Sequence, residues 1–71
     1  MPQKNRKVRI IPVREPDGRY YAIAYDWQGR PWWTTTVYSD KESAVTACRR
    51  YCTIIGGLEQ WQVVIAKEDE R

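Results

Sequence analysis

Residues 15–30 read Glu-Pro-Asp-Gly-Arg-Tyr-Tyr-Ala-Ile-Ala-Tyr-Asp-Trp-Gln-Gly-Arg, and the two turns in this stretch decide the fold. In Glu15-Pro16-Asp17-Gly18-Arg19, Pro16 presets the first corner and Gly18 stands where the backbone needs a positive φ. That pattern predicts a hairpin loop made of a type I turn followed by a glycine bulge. Asp26-Trp27-Gln28-Gly29-Arg30 repeats the geometry. A loop of this kind fixes the residues beside it, so Glu15 should pair with Arg19 and Asp26 with Arg30.

Working outward, the segments 8–14, 19–26 and 31–38 are rich in β-branched and aromatic residues and read as a three-stranded meander. Ser39-Asp40-Lys41-Glu42 follows, with Ser39 as a helix N-cap and Glu42 closing a capping box. Ala44, Cys48, Tyr51, Cys52 and Ile55 then recur at the helical period, with Ala47 adjoining. Gly56-Gly57 stops the helix by allowing a left-handed cap. Residues 58–66 alternate weakly through Trp61, Val63 and Ile65 and read as a fourth strand, leaving 67–71 as a charged tail. The expected fold is α+β in the order βββαβ, one domain over residues 1–71, with 1–6 as a flexible basic arm.

Composition narrows the function. A chain of 71 residues is close to the lower limit for a single unstapled core, and its four Trp and five Tyr supply the bulk that such a core needs. The net charge is +3, unevenly spread. Lys4, Arg6, Lys7, Arg9 and Arg14 all precede the first acid, Glu15, whereas Glu59, Glu68, Asp69 and Glu70 dominate the other end. Met1 is followed by Pro2, Gln3 and charged residues, and no apolar run approaches the length of a signal peptide or membrane span. A cytoplasmic protein without membrane contact is expected.

Catalytic machinery is hard to find. The chain has no His, so the commonest general base near neutral pH is missing. Cys48 and Cys52 sit four apart on the apolar helix stripe, where they read as reduced core residues. Two thiols without His do not make a plausible zinc site. Asp17, Asp26, Asp40 and Glu42 are spread over turns and the helix start, with no sign of a paired acid and base. Gly56-Gly57 lacks the Lys-Ser/Thr of a phosphate loop. The expectation is a binding protein, not an enzyme, with no catalytic residues, metal, cofactor or small-molecule substrate.

The run Asp17-Gly18, Gly29 and Tyr38-Ser39-x-Lys41-x-x-Ala44 resembles the YegP-like family of short bacterial proteins of unknown function, over roughly residues 17–51. That family's pattern is an Asp-Gly turn, a second turn glycine, and Tyr-Ser/Thr-x-Lys before a helix carrying Ala. The strand and helix order also resembles the amino-terminal arm-binding domains of phage integrases, which read DNA with an exposed three-stranded sheet. Those domains carry Arg and Lys on the outward positions of the second strand, where this chain has Tyr21, Ile23 and Tyr25.

The turn registers sort the strands into two faces. One carries Ile10, Pro12, Arg14, Tyr20, Ala22, Ala24, Trp32, Thr34 and Thr36. The other carries Arg9, Ile11, Val13, Arg19, Tyr21, Ile23, Tyr25, Trp33, Thr35 and Val37. Strict alternation requires Trp32 and Trp33 to point opposite ways. The YegP-like resemblance implies that the helix covers Tyr20, Ala22, Ala24 and Trp32. The exposed side would then be Ile11, Val13, Tyr21, Ile23, Tyr25 and Trp33, too apolar to leave in water and suited to a homodimer or another protein partner. Burial alone argues the reverse, exposing Arg14, Tyr20, Arg30, Trp32, Thr34 and Thr36 as a face for nucleic acid. A third arrangement folds the fourth strand or the arm over the spare face and leaves nothing to bind. The first gives the expected function: a small protein-interaction module acting through its sheet, by analogy an accessory or inhibitor protein of bacteria or phage.

Overall fold

A computed structural model describes residues 7–70; the basic arm expected at 1–6 lies outside the described residues, as does Arg71. Three strands, β1 (Val8–Arg14), β2 (Tyr20–Tyr25) and β3 (Pro31–Thr34), form the antiparallel meander. Both turns have the expected geometry. Gly18 N–H donates to the Glu15 carbonyl at 2.9 Å and Gly29 N–H to the Asp26 carbonyl at 2.9 Å. The glycines take φ of +89° and +84°, a region costly for any side chain. Glu15 meets Arg19 and Asp26 meets Arg30 through N–H to carbonyl bonds of 2.7 and 2.9 Å.

The helix α1 (Lys41–Arg50) continues into a π-helical turn over Tyr51–Ile55. Asp40, not Ser39, is its N-cap: the Asp40 carboxylate accepts from Ser43 N–H at 2.9 Å and from the Ser43 hydroxyl at 2.9 Å. Two good capping residues stand side by side here, and the partner three positions on decides between them. At the other end Gly56 keeps a right-handed φ of −80°, and Gly57 supplies the positive φ of +71°.

The fourth strand is shorter than residues 58–66. A 3-10 turn (Gln60–Gln62) leads into β4 (Val63–Ile65), which runs parallel to β1 on the edge away from β2. The expected charged tail contributes β5 (Asp69–Glu70), which pairs with Val13 and Arg14 further along the same edge of β1. Pro12 explains the interruption between them. Ala66 N–H donates to the Ile10 carbonyl at 2.8 Å, so alternate residues of β1 face this edge, and Pro12, two further on, has no N–H to offer there. The sheet order is β3-β2-β1-β4, with β5 also on β1.

The core is small side chains under a close helix. Val8, Ile10, Ala22, Ala24, Ala44, Cys48 and Cys52 are buried together, with Tyr20, Trp33, Tyr38, Leu58 and Val63 packed around them. Ala22 and Ala24 project no more than a methyl towards α1, which lets Ala44 and Cys48 sit directly on β2. Among the described residues, no helix is long and apolar enough to cross a membrane.

Candidate interaction face of the sheet

Alternation along β1 and β2 decides which side chains the helix leaves uncovered. Ile10, Ala22 and Ala24 face α1, so Ile11, Val13, Tyr21, Ile23 and Tyr25 face the other way. Ile11 stands opposite Ile23, with Val13 opposite Tyr21 and Arg9 opposite Tyr25. Val13 is only 5% exposed between its neighbours, while Ile11, Tyr21, Ile23 and Tyr25 are half-buried. The two isoleucines therefore form an apolar centre flanked by two phenol rings.

Trp33 departs from the expected face. The hairpin register holds through Tyr25 opposite Pro31, then shifts by one, so that Trp33 lies opposite Ala24 and Thr34 opposite Ile23. A β-bulge at Trp32 absorbs the extra residue. Trp33 thus turns towards the helix, stacking on Tyr51 with ring centroids 4.0 Å apart and planes 1° from parallel. Trp32 meets the same ring edge-on at 5.9 Å and 68°. Neighbouring tryptophans share one side because alternation fails at a bulge. A further residue is absorbed before Tyr38, which pairs with Tyr20. There Thr35 is buried (7% exposed), and its Oγ1 accepts from Ala22 N–H at 2.9 Å.

The open face gains Val64 and Asp69, which the sequence left unassigned, and Thr34, which it placed on the other face. Val64, 41% exposed, is beside Arg9, and Asp69 is beside Val13. Thr34 joins them from β3. Arg9 and Asp69 thus mark opposite ends of an apolar patch. Four residues of β1 separate their registers, roughly 13 Å at the usual rise.

The residues of the alternative nucleic-acid face do not share a surface. Tyr20 packs against the core, Trp32 lies against Tyr51, and Thr34 is on the opposite side. Arg14 ends β1, Arg30 is in the second turn beside Gln28 and Asp26, and Thr36 is exposed in the irregular segment after β3. The chain also forms a cleft of about 320 Å³ lined by Trp27 and Trp32 among others.

Cys48 and Cys52 are both buried and free. The Cys48 thiol is pushed well above its ordinary range, first by its hydrogen bond with Cys52 and then by burial. A thiol held protonated in an apolar core is a poor nucleophile.

No protein-family model, curated protein or solved structure matches this chain.

Proposed function

We propose that the protein is a non-catalytic interaction module that self-associates through the open face of its sheet, as a two-fold dimer centred on Ile11 and Ile23. The observation that carries this reading is the side on which α1 packs, which leaves Ile11, Tyr21, Ile23 and Tyr25 without a helix over them among the described residues. Burial of such side chains is favourable by about 25 cal/mol per Å², against association costs of several kcal/mol. The charge pattern favours a second copy over an unrelated protein. In an isologous contact each patch meets itself rotated by half a turn. A two-fold axis lying in the interface along the line from Ile11 to Ile23, across the strands, brings Arg9 of one copy over Val13 of the other and so beside its Asp69, and the same surface supplies both charges. The reduced, buried thiols fit a reducing compartment, and the proposal includes a cytoplasmic location.

Sedimentation equilibrium over a range of concentrations tests the proposal. The native chain should show a reversible monomer–dimer equilibrium, and Ile23→Asp should give a folded monomer. Arg9→Asp and Asp69→Arg should each weaken the dimer, and the double exchange should restore it. A native chain that stays monomeric at its solubility limit refutes self-association. In that event, salt-dependent binding of oligonucleotides that weakens in Arg14→Ala and Arg30→Ala would favour the nucleic-acid alternative.

A further inference from the structure

The cleft at the second hairpin turn is built of unlike parts. Trp27 and Trp32 stand at its walls, 47% and 41% exposed, and Val8 and Leu58 line its apolar floor. Gly56 makes the Trp32 wall possible: a methyl there would collide with the indole's Cη2 atom and with the Cys52 carbonyl oxygen. The Trp32 ring therefore packs close to bare backbone at Gly56, and Tyr51 meets it edge-on. About 320 Å³ is at the small end of ligand sites and accommodates one ring system.

Charge decides which kind of ring. An aromatic cleft with the Asp26 carboxylate on its rim suggests an ammonium ligand, held by cation–π attraction. The Asp26 charge, however, is already engaged. Its Oδ1 accepts from Gln28 N–H and Arg30 N–H, both at 2.9 Å, and the Arg30 Nε lies 3.8 Å from its Oδ2. A second hollow shares Val8, Asp26 and Trp27 with the cleft and adds the cations Lys7 and Arg9. The surroundings are basic overall, which favours an anion attached to the ring. We propose that the cleft binds a mononucleotide, with the base between Trp27 and Trp32 and the phosphate on Lys7 and Arg9. The Asp26 Oδ2 accepts from an exocyclic amino group of the base, the bond that a carboxylate makes to adenine or cytosine. The phosphate end of this site shares Arg9 and Val64 with the dimer face, whereas Trp27, Trp32 and Asp26 lie outside that face, so the base contacts do not depend on dimerisation.

Amide and indole correlation spectra of the intact protein, titrated with AMP, adenosine and tetramethylammonium, test the proposal. AMP should shift the Trp27 and Trp32 indole signals saturably, leaving that of the exposed Trp61 in place. Adenosine should bind several-fold more weakly than AMP at low salt, and the difference should vanish at high salt. Trp27→Ala, an exposed turn position whose unchanged spectral dispersion confirms folding, should weaken AMP at least about fivefold, as loss of a stacking partner does. Lys7→Gln, which leaves the dimer contact of Arg9 in place, should bring AMP towards the affinity of adenosine. The proposal is overturned by the absence of saturable shifts at millimolar AMP, by equal shifts at Trp61, or by tetramethylammonium binding in preference to AMP. Binding of an oligonucleotide with no response to AMP would also overturn it and assign the cleft to a polynucleotide.

Discussion

Trp33→Ala removes the ring that stacks on Tyr51 and packs against the Ala24 side of the core. Truncating a core tryptophan costs about 3–5 kcal/mol. Trp33 is half-buried, which places it at the lower end, and the stack itself accounts for about 0.5–1.5 kcal/mol of that loss. A domain of this size has a total stability of about 4–11 kcal/mol, so a loss of about 3 consumes a large share of it. At about 4–8 °C per kcal/mol, thermal unfolding followed by circular dichroism should show a fall of at least about 12 °C. Ile23→Asp is the control, because Ile23 is on the opposite face; it should change association far more than melting temperature. Tyr51→Leu should lower the melting temperature by less than Trp33→Ala, since it keeps an apolar side chain beneath the indole. A Trp33→Ala protein that melts within a few degrees of the native chain, beside an Ile23→Asp protein that unfolds, would refute the bulged register and put the helix on the other face.

Other substitutions probe separate parts of the same account. Ala24→Leu forces a large side chain into the closest approach of helix and sheet and should cost about 1–3 kcal/mol, read from urea unfolding. Free-thiol titration of unfolded, unreduced protein should find both Cys48 and Cys52, and the folded protein should react much more slowly because both are buried. The Asp40 carboxyl is held below its ordinary value of 3.8, first by the Ser43 backbone N–H and then by the Ser43 hydroxyl. Its contribution to stability is therefore complete above that value and is lost as pH falls through the lower folded-state value. Asp40→Asn keeps a capping oxygen without the charge and should make unfolding less steep in acid, as measured by denaturant midpoints from neutral pH to pH 2.

What could be read in the sequence was local. Each hairpin loop needs a glycine at one backbone position, and Gly18 and Gly29 announce it. From those two residues followed the strand order, the pairing of β1 with β2 and the set Ile11, Val13, Tyr21, Ile23 and Tyr25. The face of Trp33 could not be read in the same way. Nothing in Pro31-Trp32-Trp33-Thr34 signals a bulge, and Tyr51, the ring that rewards it, lies in a π-turn beyond the end of α1. The parallel placement of β4 and β5 likewise depends on pairing across most of the chain length. Pro12 was the one available signal. A proline within an apolar strand points to a neighbour that is interrupted opposite it, and the break between β4 and β5 is that interruption.

The same irregularities bear on how the protein can associate. A sheet offers two routes to a second chain: pairing along an edge, or packing of a face. Edge pairing needs a regular row of backbone donors and acceptors. On one edge, β3 begins at Pro31 and shifts register after Tyr25 and again before Tyr38, so its free groups do not form such a row. On the other edge, β4 and β5 are short and separated. The Lys41 ammonium lies 3.3 Å from the Glu68 carboxylate in that gap and brings charge to it. Both edges are thus ill suited to growth by strand addition, while the face centred on Ile11 and Ile23 lies on the two regularly paired strands of the sheet. Regular pairing holds the side chains of β1 and β2 in fixed rows, which is what a self-complementary contact requires. Association through the face also closes at two copies, where an edge contact would leave another edge free to continue. If the dimer forms, it should therefore stop at the dimer, and sedimentation at rising concentration should reach a plateau at twice the monomer mass without larger species.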